Sequence, residues 1–349
     1  MLSKKIVIHI EPTVYKVKTN IIIVLVYISR LNKIKTMAKI LVNDGMHQAG
    51  IDMLKDEGHQ VDTNNIPQAD LMEKLVDYDA ICVRSATKVR GELIDNCPNL
   101  KIIGRGGVGL DNIDVDHARG KGIQVLNTPA ASSRSVAELA MGHLLSVARY
   151  IYDANLQMPS KGSTDFKSLK KSYSKGFEIE GKKLGIIGFG RIGQETARIA
   201  IGLGMEVLAV DPYQDTVSIT IGPKSLNLIT EIKTVDMETM LPNADAIALH
   251  IPNTGKPVLS AAEFDQMKDG VVLINASRGG TVDEDAMLDA LNTGKVRAAG
   301  LDVFVGEPKP RKDILSHANV SSTPHIGAST VEAQIKIGQE LAQQIIDIL

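Results

Sequence analysis

Tryptophan is absent from the 349 residues, cysteine occurs only twice, and aromatic residues make up 3% of the chain. Cys82 and Cys97 are too few for a disulfide framework or a metal-ligand cluster, and they do not stand in CxxC spacing, so no metal is expected. Cys82 falls in the apolar run Ala80–Val83 and reads as a small core residue. An excess of one charge is also missing. Lys and Arg number 39 against 41 Asp and Glu, a net charge of -2, which offers nucleic acid no basic surface. The apolar run Ile21–Ile28 holds eight residues, whereas a bilayer span takes about 20, so no membrane partner is expected either. What remains is ordinary globular composition, 44% hydrophobic and 23% charged, with length for two domains.

The first 36 residues differ from the rest. They carry seven basic residues and one acid, whereas the remaining 313 carry 32 basic and 40 acidic residues. Arg30-Leu31-Asn32-Lys33 makes a poor signal cleavage site. Met37 opens a fresh pattern, with Lys39–Val42 reading as a first strand. Residues 1–36 are therefore expected to be an extension outside the fold of a cytoplasmic protein.

From Met37 onward, short apolar runs alternate with helical periods, which predicts parallel sheets with crossover helices. Lys39–Val42, Ala80–Val83, Lys101–Ile103 and Gln124–Leu126 read as strands, with helices over Met46–Glu57 and Val89–Asn96. Val136, Leu139, Ala140, Leu144, Val147 and Ile151 keep a 3.6-residue period and predict one long helix over Ser133–Asn155. Gln157–Lys182 is rich in Lys, Ser and Gly and reads as a loop. A second α/β series follows, with strands over Lys183–Ile187, Glu206–Val210, Ala244–Leu249, Val271–Asn275 and Arg297–Leu301. Within it, Val217–Ile221 and Leu228–Val235 around Gly222-Pro223-Lys224 read as a β-hairpin. A last amphipathic helix is expected over Thr330–Leu349.

Gly188-Phe189-Gly190-Arg191-Ile192-Gly193 follows a predicted strand and opens a predicted helix. Gly188 suits the tight turn, Gly190 a close approach of the backbone to a pyrophosphate, and Gly193 close packing of helix on strand. The helix N-terminus offers free N–H groups to phosphate. Such glycine turns are common. Here, however, the next strand ends at Asp211, roughly 20 positions further on, where an acid meets the adenosine ribose hydroxyls. Its charge would repel a 2′-phosphate, so the expected cofactor is NAD.

Three charged residues end predicted strands in this second half: Arg278 after Val271–Asn275, Glu307 after Arg297–Leu301, and His325 after Asn319–Ser322. Ligands of open α/β sheets sit at the carboxyl ends of the strands. A guanidinium holds a carboxylate and polarises a neighbouring carbonyl. An imidazole exchanges a hydroxyl proton as hydride moves, and a carboxylate beside it orients the ring and favours its charged form. Singly, each is better explained as a surface residue; all three behind a dinucleotide motif point to hydride transfer on a 2-hydroxy acid.

At these residues the sequence resembles the D-2-hydroxyacid dehydrogenase family, in particular its phosphoglycerate-oxidising branch, over nearly all of Met37–Leu349. Val83-Arg84-Ser85-Ala86-Thr87-Lys88-Val89 and the segment from Gly104 to Asp114 are similar to the substrate-domain signatures. Gly188–Gly193, Asn275–Gly280, Gly300–Pro308 and His325–Ala328 are similar to the cofactor and catalytic segments. The resemblance implies an α/β fold of two Rossmann-like or flavodoxin-like lobes with parallel sheets and an active-site cleft between them. Residues 37–134 with 326–349 would form a discontinuous substrate domain, and 135–325 the NAD-binding domain. Arg278, Glu307 and His325 would be catalytic. Arg191 and Ile192 would lie against the pyrophosphate, Asp211 against the ribose, and Ile251 on the adenosine side. Ala276, Ser277, Asp302, Gly327 and Ala328 would surround the nicotinamide. Val108, where many relatives carry Thr, would touch the cofactor from across the cleft. Backbone N–H groups of Gly106 and Gly107 would hold the substrate carboxylate, and Arg84, Ser85 and Arg105 its phosphate side.

The implied partner is a small 2-hydroxy or 2-keto acid, phosphorylated in that branch, with a homodimer or tetramer formed through the helix after Ser133. Many members carry a regulatory domain after the catalytic core; with the chain stopping at Leu349, feedback control through one is not expected. Two rivals stay open at this point: a glyoxylate or hydroxypyruvate reductase, and an NAD-sensing binding protein without turnover.

Overall fold

Short apolar strands separated by helical periods cannot pair as hairpins. Each crossover helix returns the chain to the same end of the sheet, so successive strands align in parallel. The computed structural model, which describes residues 37–349 apart from 224, 226 and 227, contains two such sheets. The extension expected over residues 1–36, and Lys224 in the hairpin turn, lie outside the described residues.

The first sheet has the order β2-β1-β3-β4-β5. Its strands are β1 (Lys39–Val42), β2 (Gln60–Asp62), β3 (Ala80–Val83), β4 (Ile102–Arg105) and β5 (Gln124–Asn127), and helix α1 (Gln48–Asp56) follows β1. Helix α2 (Ser133–Ala148) then carries the chain across to the second sheet, followed by α3 (Ile151–Lys161) and α4 (Phe166–Ser172).

The second sheet has the order β13-β12-β11-β10-β6-β7. It begins with β6 (Lys183–Ile187), α5 (Arg191–Gly202) and β7 (Glu206–Val210). The antiparallel pair β8 (Thr216–Ile221) and β9 (Leu228–Lys233) follows, as its alternating pattern predicts. The sheet is completed by β10 (Ala246–Leu249), β11 (Val271–Asn275), α6 (Glu284–Thr293), β12 (Val296–Leu301) and β13 (Val320–Ser322).

Helix α7 (Val331–Ile348) returns to the first sheet, where Leu341, Ala342 and Ile345 pack with Ile40, Val42, Cys82 and Ile102. It approaches α1 so closely that a Cβ on Gly50 would lie 2.4 Å from the Gly338 carbonyl oxygen. Helix α2 packs instead on the second sheet, through Val136, Ala140, Met141, Leu144 and Val147 against Leu184, Ile186, Ala248 and Val272. Each buried Val, Leu, Ile or Met among these contributes roughly 1.5–3 kcal/mol. The Ser135 and Thr330 hydroxyls, 2.8 Å apart, tie the starts of the two crossing helices together.

Two expectations are corrected. The single helix over Ser133–Asn155 is broken: α2 stops at Ala148, and Tyr150 takes a left-handed φ of 54° before α3 begins. The returning chain explains the break, because the Phe177 amide donates to the Ala148 carbonyl at 3.0 Å and Arg297 reaches the Tyr150 hydroxyl at 3.2 Å. The segment Gln157–Lys182 is not all loop, since α3 runs to Lys161 and α4 occupies Phe166–Ser172. α3 buries no residue, and so it leaves no apolar period to read.

Candidate active site

Both sheets point the carboxyl ends of their strands at one cleft, a cavity of about 620 Å³. From the first sheet come Arg84, Ser85, Arg105, Gly106, Gly107 and Val108. From the second come Ile192, Ile251, Ala276, Ser277, Arg278, Asp302, Glu307, His325, Gly327 and Ala328. Residues distant in sequence and expected to act together are thus brought together. Gly188, Gly190, Arg191, Gly193 and Asp211 do not line this cavity but form the adjoining turn between β6 and α5 and the end of β7.

His325 stands at a φ of 54°, an uncommon conformation for a side chain with a Cβ. Its Nδ1 lies 2.8 Å from Glu307 Oε2. Glu307 Oε1 also accepts the Phe304 amide at 2.9 Å. Burial works against charge on Glu307, but the bonds from His325 and Phe304 together hold its carboxyl below the usual range. An ionised Glu307 accepts from Nδ1–H, which leaves Nε2 of the neutral ring as the free lone pair.

Arg278 is anchored on two sides. Its Nε donates to Asp111 Oδ2 at 3.1 Å and its Nη1 to the Ser277 carbonyl at 2.7 Å. Asp111 comes from the loop after β4, so this ion pair bridges the two halves of the cleft. Gly109 permits it, since a Cβ there would lie 1.8 Å from Arg278 Nη2. Sequence reasoning placed Asp111 inside a signature block but assigned it no partner; at 167 residues' separation no local pattern signals the contact.

Arg105 is held by Asn112 Oδ1 at 3.3 Å. Burial, aided by the nearby Arg278 and Arg84 cations, pushes its guanidinium down to about 10. Asp44 accepts the Arg84 amide at 2.7 Å and so fixes the loop that carries Arg84. One expectation fails here. The Gly106 amide donates to the Val83 carbonyl and the Gly107 amide to the Arg105 carbonyl, both at 2.9 Å, so neither is open to a carboxylate. The amides of Val108 and Gly109, next along the loop, have no acceptor among the described residues.

The glycine turn fits a dinucleotide. Gly188 has a φ of 90°, and a Cβ there would lie 2.6 Å from the His250 carbonyl oxygen. A Cβ on Gly193 would lie 2.2 Å from the Gly188 carbonyl, whereas at Gly190 nothing lies within 4 Å. The first and third glycines are thus required by packing, and the second leaves open space beside the N-terminus of α5. Asp211 accepts the Phe189 amide at 2.8 Å and the Tyr213 amide at 2.9 Å, which fixes its carboxylate beside the turn. Arg191 is exposed at the first helical position and faces Glu340 of α7.

His250 lines the cleft without having been anticipated. The Thr196 hydroxyl donates to the Ile192 carbonyl at 3.0 Å and therefore accepts from His250 Nε2 at 2.9 Å. Nδ1 is left as a buried acceptor without a partner among the described residues. Burial pushes the imidazole down to about 4. An orphaned acceptor costs about 1–3 kcal/mol.

The family described as "D-isomer specific 2-hydroxyacid dehydrogenase, NAD binding domain" matches residues 141–327. The chain belongs to this family. A hydroxypyruvate reductase of Thermotoga maritima is 43% identical over 88% of this chain and 97% of that protein. A D-3-phosphoglycerate dehydrogenase of Methanocaldococcus jannaschii is 42% identical over 90% of this chain and 58% of its own length. The chain thus spans little more than half of that dehydrogenase. Among solved structures, a glyoxylate reductase of Paecilomyes thermophila superposes with a TM-score of 0.76 at 28% identity, over 89% of this chain and 94% of that one. As a D-2-hydroxyacid dehydrogenase the protein uses NAD, and its two parallel sheets are those of the family fold. Among the described residues no helix is long and apolar enough to cross a membrane.

Proposed function

We propose that the protein oxidises D-3-phosphoglycerate to 3-phosphohydroxypyruvate, the entry to serine synthesis, in the cytoplasm. The observation that carries this reading is the meeting of Arg84, Arg105 and Arg278 around the cavity that also holds His325 and Glu307. Three guanidinium groups exceed what a lone carboxylate requires, and they match a substrate with a carboxylate at one end and a phosphate at the other.

In this reading Arg278 holds the substrate carboxylate and polarises the C2 oxygen, with its Nε kept on Asp111. The free amides of Val108 and Gly109 add donors to the same carboxylate. Arg84 and Arg105 take the phosphate, with Ser85 beside them. His325 Nε2 accepts the C2 hydroxyl proton, and Glu307 on Nδ1 stabilises the imidazolium that forms. Bound NAD supplies the acceptor for the C2 hydride. The turn Gly188–Gly193, through the space left at Gly190 and with Arg191 and Ile192, would hold its pyrophosphate, Asp211 its ribose and Ile251 its adenosine side. Val108, Ala276, Ser277, Asp302, Gly327 and Ala328 enclose the nicotinamide. In the reverse direction the His325 imidazolium returns the proton.

The domain division 37–134 with 326–349, and 135–325, belongs to the same reading and is supported by the packing of α7 on the first sheet and of α2 on the second. So does a homodimer. It is supported by Leu145, Ile151, Leu156, Met158 and Phe166, large apolar residues exposed along α2 to α4.

A second reading, reduction of hydroxypyruvate, is favoured by the relative from Thermotoga maritima, which matches over 97% of its length. Steady-state kinetics with phosphorylated and unphosphorylated D-2-hydroxy and 2-keto acids separate the two. The phosphoglycerate reading requires a phosphorylated substrate to have the higher kcat/KM. It also requires Arg84→Ala or Arg105→Ala to depress that substrate far more than glycerate. Equal losses on both remove the phosphate role and leave the reductase.

A further inference from the structure

Behind the cleft wall runs a buried polar chain of which the chemistry above uses only Asp302. His143 lies on α2 with 3% of its surface exposed, in a helix whose other buried positions are mostly apolar. β12 is shaped to receive it, since a Cβ on Gly300 would lie 2.5 Å from the His143 Cβ. Both ring nitrogens have partners: Nδ1 lies 3.1 Å from Ser321 Oγ, and Nε2 lies 2.9 Å from Thr323 Oγ1. The Thr323 hydroxyl is also 2.6 Å from Asp302 Oδ1.

The far end of the chain sets the direction of its protons. Asp302 meets donors only. The Ile326 amide reaches its Oδ1 and the Gly327 amide its Oδ2, both at 2.8 Å, so the carboxylate must accept from Thr323 as well. With its own proton given to Asp302, Thr323 Oγ1 is an acceptor toward His143. The His143 proton is then on Nε2, and Nδ1 accepts from Ser321. Burial keeps this imidazole below its usual range and Asp302 alone opposes that, so the ring is neutral at neutral pH. The amides of Ile326 and Gly327 follow directly on His325, the residue at a φ of 54°. Such a conformation persists only where its surroundings over-determine it.

We infer that His143 is a positioning residue for His325. By donating from Nε2 it locks the Thr323 hydroxyl onto Asp302, and Asp302 in turn fixes the turn that keeps His325 on Glu307. The inference rests on His325 being the acid–base group of the proposed reaction. An apolar residue at position 143 takes from Ser321 the acceptor for its proton and from Thr323 the donor that orients its hydroxyl, so Thr323 is held on Asp302 from one side only. The His325 ring then drifts from the geometry that proton transfer needs.

Thr323→Val removes the central hydroxyl at nearly constant volume, and Thr323→Ser keeps it. His143→Leu and His143→Gln form a second pair, of which only Gln retains a donor. The full chain is assayed with NADH and hydroxypyruvate for kcat and KM, and NADH dissociation is followed separately by nicotinamide fluorescence. Nitrogen-15 histidine spectra without cofactor report the His143 tautomer.

The expected result is a kcat lowered about ten- to a hundredfold in Thr323→Val. The fall in kcat should exceed any change in KM or NADH affinity, with recovery in Thr323→Ser, and His143→Gln should exceed His143→Leu in the same way. The wild-type spectrum should show a single neutral Nε2–H form of His143, lost in Thr323→Val. A wild-type kcat in Thr323→Val overturns the inference. So does an equal loss in both members of each pair, or an Nδ1–H ring at His143. Full turnover in His325→Ala would instead remove the acid–base reading on which the inference stands, and is distinguishable because the tautomer result would be unchanged.

Discussion

The two sheets of this protein share a topology and use it oppositely. In each, the first strand lies between its successor and the strand that reverses the order, β2-β1-β3 in one and β7-β6-β10 in the other. An open α/β sheet forms its crevice at that point. Beyond β1 the crevice is filled by side chains. Asn43, 3% exposed, bonds Thr87 Oγ1 at 2.8 Å and the Ile66 carbonyl at 3.1 Å, while Asp44 accepts the Arg84 and Thr87 amides. Beyond β6 the same place is kept clear by Gly188 and Gly190. The filled crevice fixes the loop that carries Arg84, and the open one leaves space beside the N-terminus of α5. A shared topology therefore leaves open whether the switch point is filled or clear.

The sharpest way to break this comparison is at the reactive edge of the second sheet. His325→Ala should lower kcat by ~10²–10⁴-fold with NADH affinity retained. A loss smaller than tenfold would mean that the proton is exchanged elsewhere. On the first sheet, Arg105→Ala should depress kcat/KM for a phosphorylated substrate by roughly 10- to 100-fold, since bonds to charged groups contribute about 1.5–3 kcal/mol. Its NADH affinity should match the wild type, and a weakened NADH complex would show that the two crevices are not independent.

The glycines divide the effects further. Gly190→Ala has nothing within 4 Å of the new Cβ, so Tm should hold while the NADH Kd rises roughly tenfold, equivalent to about 1.4 kcal/mol. Gly188→Ala, with its φ of 90° and the His250 carbonyl 2.6 Å away, should lower Tm as well. Equal Tm losses in both would sink the distinction between packing glycine and access glycine.

The smallest expected effect lies beside the same turn. The fold depresses the His250 pKa from 6.5 to about 4. The neutral ring is the form the fold prefers. The associated stability is therefore complete above pH 6.5 and lost as pH falls toward 4, with an upper bound of about 3 kcal/mol. Chemical denaturation at pH 7 and 4.5 should show a shallower pH dependence in His250→Asn than in the wild type; parallel dependences would contradict the assigned cause.

The strands and the glycine turn were legible in the sequence because they are local. Lys183–Ile187, Glu206–Val210 and Val271–Asn275 carry their period in consecutive residues, and the β8–β9 pair carries its alternation. What was not legible is set by distant parts. The break at Tyr150 is invisible because Val147 and Ile151 continue the apolar period across it, and the cause lies in Phe177 and Arg297. α4 buries only Leu169 among its lysines and serines and so resembles a loop. β2 has three partly exposed residues and little apolar signal. In the site, the residue types and strand-end positions pointed to the cleft. The occupied Gly106 and Gly107 amides, the Asp111 partner of Arg278 and the His143 chain depend on contacts that no spacing encodes.

The β8–β9 ribbon has a consequence for the solution behaviour of the protein. β7 is the outermost strand of its sheet, and an unguarded outer strand is a template onto which another chain can add. The ribbon lies over that side: the Val235 amide donates to the Ala209 carbonyl at 2.8 Å, and Ile219 and Ile232 bury themselves with Ala197, Ala200 and Ala209. The ribbon thus covers part of the edge that β7 would otherwise present to another strand.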